Sequence, residues 1–184
     1  MSRQTLLCHP ATPCPVVQGI TTDVRQTAVG DLMLTYRILA RPENLQNLLI
    51  PTAMPAAAAN NLWQHTCCEA FIGTTGDAAY REFNFSPSSL WAVYQFHDYR
   101  QPDTDFQAPA APQIVLHCDY EQIVLEARLP NALLPIGNTW QIGLSAVIES
   151  TDGCKSYWAL THGTAQPDFH LRQSFTLILN RITT

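Results

Sequence analysis

Alternation of apolar and polar residues with a period of two dominates this sequence, and that period suits strands rather than helices. In residues 31–40, Leu32, Leu34, Tyr36 and Ile38 fall on one face while Met33, Thr35, Arg37 and Leu39 fall on the other. Further strands are predicted over 67–72, 80–85, 90–96, 113–118, 122–128, 140–149, 157–161 and 175–180, each rich in β-branched, aromatic or leucine residues. A less regular stretch over 16–24 predicts one more. Turn chemistry punctuates them: Gly73-Thr74-Thr75-Gly76-Asp77, Ser86-Pro87-Ser88-Ser89, residues 119–121 and Asp152-Gly153 stand where one apolar run stops and the next begins. Short connections join antiparallel neighbours. About ten strands with no amphipathic helix between them predict an all-β fold, an antiparallel β-sandwich of jelly-roll type with immunoglobulin-like layering. Residues 51–61, 100–112 and 162–171 read as loops, with room in 56–61 for no more than one helical turn.

A chain of 184 residues suits one domain, read as spanning 1–184. With 46% apolar and 14% charged residues it has the material for a core and too little charge to stay unfolded. The net charge is −5 and the basic residues are scattered singly, so neither nucleic acid nor an anionic membrane is an expected partner. No apolar run is long enough to span a bilayer, and MSRQTLLCHPATPCP lacks the apolar stretch and cleavage site of a secretory signal. The expected compartment is therefore the cytoplasm, where Cys8, Cys14, Cys67, Cys68, Cys118 and Cys154 would be free thiols, mostly buried. On a strand the vicinal pair Cys67 and Cys68 points to opposite faces.

Sandwich domains commonly bind ligands on aromatic platforms, and Trp63 and Trp158 stand where such platforms or core residues would serve. Trp63 closes an alanine-rich loop before a strand, and Trp158 follows the Asp152-Gly153 turn. The block Leu62-Trp63-Gln64-His65-Thr66-Cys67-Cys68-Glu69-Ala70-Phe71-Ile72 resembles the tryptophan-to-glutamate strand motif of DOMON-like domains and family 9 carbohydrate-binding modules. The likeness continues through Tyr80-Arg81-Glu82-Phe83-Asn84-Phe85-Ser86-Pro87 and Trp91 to Tyr157-Trp158-Ala159-Leu160 and Pro167-Asp168-Phe169-His170.

That resemblance implies a sugar ring clamped between Trp63 and Trp158, with Glu69 accepting from ligand hydroxyls and Arg81 and Lys155 completing a polar rim. The physics suits a pyranose, whose C–H face desolvates against indole while its hydroxyls need partners. His65, Cys67 and Cys68 depart from the residues usual in that stretch of the family. The resemblance also brings haem as an alternative ligand, with Met33, Met54, His97, His117, His162 and His170 as potential axial ligands. His65, Cys67 and Cys68 are candidate zinc ligands, although a second ligand pair is missing nearby. Glu69 and Glu82 could face each other as an acid and base pair for glycoside hydrolysis, and Asp168-Phe169-His170 could orient a histidine, but no activated nucleophile or phosphate loop accompanies them. The reading is a non-catalytic domain without cofactor or metal that binds a small molecule, which the resemblance implies is a sugar or sugar derivative. A haem-binding redox module and a protein-interaction domain are the alternatives.

Overall fold

The structure, a computed structural model, describes residues 3–182. Twelve strands run β1 (Arg3–Cys8), β2 (Val17–Gln26), β3 (Leu32–Ala40), β4 (Cys67–Thr74), β5 (Tyr80–Phe85), β6 (Trp91–Asp98), β7 (Gln101–Pro102), β8 (Gln113–Cys118), β9 (Gln122–Leu129), β10 (Thr139–Glu149), β11 (Lys155–Ala159) and β12 (Leu177–Asn180). All ten strands read from the sequence are present. The two additions are β1 and the two-residue β7. No helix among the described residues is long and apolar enough to cross a membrane.

The strands pair antiparallel in two layers. One sheet is ordered β1-β2-β3-β9-β8, the other β7-β6-β5-β4-β10-β11, with β12 beside the first half of β10. β1 belongs to both sheets, since Leu6 pairs with Ile20 of β2 and the next residue, Leu7, pairs with Ala159 of β11. The predicted face of β3 points inward: Leu32, Leu34, Tyr36 and Ile38 are buried and meet Phe83, Phe85, Trp140 and Trp158 in the same core cluster. Burying such side chains supplies roughly 25 cal/mol per Å² of apolar surface. Within this core the Tyr36 hydroxyl donates to the main-chain carbonyl of Glu69 at 2.6 Å, joining the two layers at the middle of β4.

The second sheet is covered on both faces. Cys68, Ala70 and Ile72 of β4 turn into the sandwich core, while Phe71 turns outward into a second cluster with Tyr80, Phe96 and Phe175, flanked by Tyr94 and Phe169. The segment after β11 completes this outer layer. Its anchor is Arg172, which donates to the carbonyls of Thr74 and Asp77 and to Gln141 Oε1, and lies 4.9 Å over the Phe175 ring. A Cβ at position 73 would fall 1.8 Å from Arg172 Nη1, so the guanidinium occupies space that only glycine leaves free. Gly73→Ala is therefore expected to displace Arg172 and cost about 1–3 kcal/mol, read from the midpoint of urea unfolding.

All six cysteines are free, but only Cys67 and Cys68 are buried. Cys8 and Cys14 are half-buried and Cys118 and Cys154 exposed, which corrects the expectation of mostly buried thiols. The reason is position: Cys118 ends the edge strand β8 and Cys154 sits at the turn between β10 and β11.

Candidate ligand-binding site

Alternation that sends one half of each strand into the core sends the other half to the outer face of the second sheet. Glu69 and Phe71 from β4, Glu82 from β5, Tyr94 and Phe96 from β6 and Tyr157 from β11 there line an open cavity of about 910 Å³. Its walls come from loops: Trp63 in a short 3₁₀ turn, Leu62–Gln64, on one side, Arg100 before the β7 turn, and Phe169 and His170 from the segment after β11. This size suits a small molecule, and the mixture of rings with few polar groups is usual for such sites.

The floor is acidic and poorly compensated. Cross-strand register places Glu82 opposite Phe71 and Asn84 opposite Glu69, so the two carboxyl groups are diagonal neighbours on one face. Glu69 is completely buried; its Oε2 accepts from Ser145 Oγ at 3.3 Å and its Oε1 has no partner. Burial, and then the neighbouring Glu82 charge, push the Glu69 carboxyl well above the usual carboxylate range. Burial likewise pushes Glu82 up to about 7, against the opposing effects of the Asn84 hydrogen bond and the Arg100 charge. Asn84 Nδ2 donates to Glu82 Oε1 at 2.7 Å.

His170 is held beside this pair. The Tyr80 hydroxyl accepts from the Arg100 main-chain N–H at 3.2 Å and lies 2.8 Å from His170 Nδ1. In the tautomer with the ring proton on Nε2, 3.6 Å from Glu82 Oε2, the Tyr80 hydroxyl donates to Nδ1. Burial and the Arg100 charge bring His170 down to about 4, so the ring is neutral at neutral pH and its contact with Glu82 is not a pair of full charges. Arg100 is engaged elsewhere, donating to Asp168 at 3.0 Å. Burial opposes ionisation of Asp168, yet hydrogen bonds from Tyr99, the His170 N–H and Arg100 hold it below its ordinary value.

Of the residues singled out in the sequence, the cavity brings together Trp63 and Glu69, and with them Glu82 and His170. It does not bring in Trp158, Arg81 or Lys155. Trp158 pairs with Ala146 across β10, faces the sandwich core at 6% exposure and donates from Nε1 to Ser156 Oγ. The two-tryptophan clamp is therefore corrected, because the strand's parity gives the cavity Tyr157 and the core its neighbour. Arg81 precedes Glu82 and so projects to the opposite face, donating to Gln95 Oε1 and the Leu133 carbonyl and lying over Phe106. Lys155 shares the outward face of β11 with Tyr157 but pairs across the strands with Glu149, beyond the cavity lining.

The other weighed residues also disperse. His65 bonds Glu149 Oε2 through Nδ1 at 2.7 Å while Cys67 and Cys68 turn to opposite faces of β4. No group of three potential metal ligands converges among the described residues. Among the histidines and methionines considered for haem, only His170 lines the cavity. Sequence reasoning missed Tyr94, Arg100 and Tyr157. For Tyr157 a signal existed, since it lies two residues from the polar Lys155 and so on the same face.

No protein-family model and no curated protein matches the chain. Solved structures do. A candidate carbohydrate-binding protein from Bacteroides uniformis superposes with a TM-score of 0.70 at 15% identity, over 98% of this chain and 86% of that one. A family 9 carbohydrate-binding module from Caldicellulosiruptor kristjanssonii in complex with glucose gives 0.53 at 10% identity, over 96% and 83%. A family 9 module from the same organism in complex with cellotriose gives 0.52 at 12% identity, over 86% and 72%. At these identities the likeness is one of fold, and the sandwich is of the kind these modules share.

Proposed function

We propose that the protein is a non-catalytic domain that binds a small saccharide in the cavity on the outer face of its second sheet. The observation that carries this reading is the pairing of a half-exposed Trp63 on the cavity wall with buried carboxyl groups on its floor. An indole face and the outward rings of Tyr94 and Tyr157 offer stacking surface to the C–H face of a sugar, and a small turn of Glu69, whose Oε1 is unpartnered and covered in the empty cavity, would bring an acceptor to a hydroxyl. The fold shared with modules solved in complex with glucose and with cellotriose supports the same class of ligand.

Titration calorimetry with glucose, cellobiose and cellotriose tests the reading. Trp63→Ala is expected to weaken binding about ten-fold or more, as loss of an aromatic anchor does, while the denaturation midpoint moves little because the ring is 47% exposed. No heat with any of a broad panel of mono- and oligosaccharides, or unchanged affinity in the variant, would reject it.

A further inference from the structure

The floor of the cavity asks for more than a hydroxyl donor. Glu69 and Glu82 are both buried, they are diagonal neighbours, and one carboxyl oxygen of Glu69 points to no partner within the protein. Arg100 is the one cationic side chain in the cavity lining among the described residues, and its guanidinium is held by Asp168. Lys155 lies outside the lining and the Arg81 guanidinium is turned to the other face, bonded to Gln95 and Leu133. Two neighbouring carboxyls whose nearest cation, Arg100, is already paired with Asp168 are costly to bury, and such an arrangement is relieved when a second cation enters.

Around this floor stand the rings of Phe71, Tyr94, Phe96, Trp63, Tyr157 and Phe169. Their faces attract a cation stripped of water as well as an apolar ring. A divalent metal fits poorly, because it takes six or more oxygen ligands and the neighbouring Asn84 presents its amide nitrogen, not its oxygen, to Glu82.

We infer that the ligand of this cavity carries an ammonium group, as an amino sugar does, with the –NH₃⁺ held between the Glu82 carboxyl and a Glu69 carboxyl turned to present the oxygen that is unpartnered and covered in the empty cavity, and the ring stacked on the aromatic wall. This deepens the saccharide reading and rests on it for the ring, though not for the charge. Burial of both groups, with the Glu82 charge acting on Glu69, keeps a proton on the empty carboxyl pair, and the ammonium takes that proton's place.

The test is calorimetric titration of the full chain at pH 7 with glucosamine, glucose, N-acetylglucosamine and 1,5-diaminopentane. Glucosamine is expected to bind at least about ten-fold more tightly than glucose or its N-acetylated form, as a charge-assisted contact exceeds a neutral one. Glu69→Gln and Glu82→Gln, near-isosteric and verified as folded by circular dichroism, are expected to bring that ratio within about three-fold. Equal affinity for glucose and glucosamine overturns the inference and leaves the saccharide reading standing. Binding of the diamine with no response to any sugar upholds the ammonium site and overturns the saccharide. Silence with all four overturns both.

Discussion

Trp158→Ala is expected to destabilise the protein by about 3–5 kcal/mol while ligand affinity in the folded fraction stays within about two-fold of the parent. The indole sits in the inter-sheet core with Trp140, Phe85 and Leu34, so its removal leaves a cavity that rigid β-strands refill only in part. Its Nε1 hydrogen bond to Ser156 is lost as well, leaving a buried hydroxyl with one contact fewer. Urea unfolding supplies the stability and calorimetry the affinity. The paired outcome distinguishes the two tryptophans, because Trp63→Ala acts in the opposite sense on the same two readouts. A Trp158→Ala protein as stable as the parent but unable to bind would restore Trp158 to the binding face.

Glu82→Gln is expected to raise stability above pH 7 by about 3 kcal/mol, with the gain disappearing below pH 4.5. In the unfolded chain Glu82 ionises near its ordinary value of 4.5, whereas in the folded protein it ionises at about 7. Its raised value contributes stability that is complete below 4.5 and lost as pH rises through 7. His170 works the other way: with its value lowered from 6.5 to about 4, its contribution is present above 6.5 and lost as pH falls through 4. Between pH 4.5 and 6.5 the rising His170 slope offsets only one of two falling slopes, because the buried Glu69 carboxyl, also raised, adds a second, and the parent is expected to lose stability across that window. Glutamine at position 82 removes one falling slope and leaves those of Glu69 and His170 to cancel, so the variant is expected to be nearly flat there. Unfolding free energies of both proteins from pH 4 to 8.5 measure this directly. Equal stability at pH 8 would show that Glu82 ionises in the folded protein as it does in the unfolded one.

The sandwich was legible because most strands keep one face in the core and so alternate, as β3 does with Leu32, Leu34, Tyr36 and Ile38. The same rule loses its power where both faces are covered. Nearly all of β4 is buried, so Cys68 and Ala70 look no more interior than Cys67 and Phe71, although they lie on opposite sides. In β11 adjacent aromatic residues, Tyr157 and Trp158, point to cavity and core, and the family resemblance, which puts a tryptophan in the clamp, does not tell the two faces apart. Glu69 was found because it stands in a recognisable strand motif. Arg100 and His170 come from connecting segments, whose paths follow no period, and their meeting with Glu82 and Tyr80 depends on contacts distant in sequence. β1 escaped for a related reason: Leu6 is its one fully buried residue, too little to make an alternating pattern.

That strand has a kinetic consequence. β1 is stitched to β2, its neighbour in sequence, and to β11, which lies most of the chain away, so its two ends report on the earliest and the latest stages of assembly. The β1–β2 hairpin can form locally within microseconds, but Leu7 and Cys8 find no partner until β10 and β11 have docked. Refolding should therefore be slow, on the order of milliseconds to seconds, as in other proteins dominated by long-range pairing. In hydrogen exchange during refolding, the amides near Gln4 are expected to gain protection before those near Cys8, within a single strand.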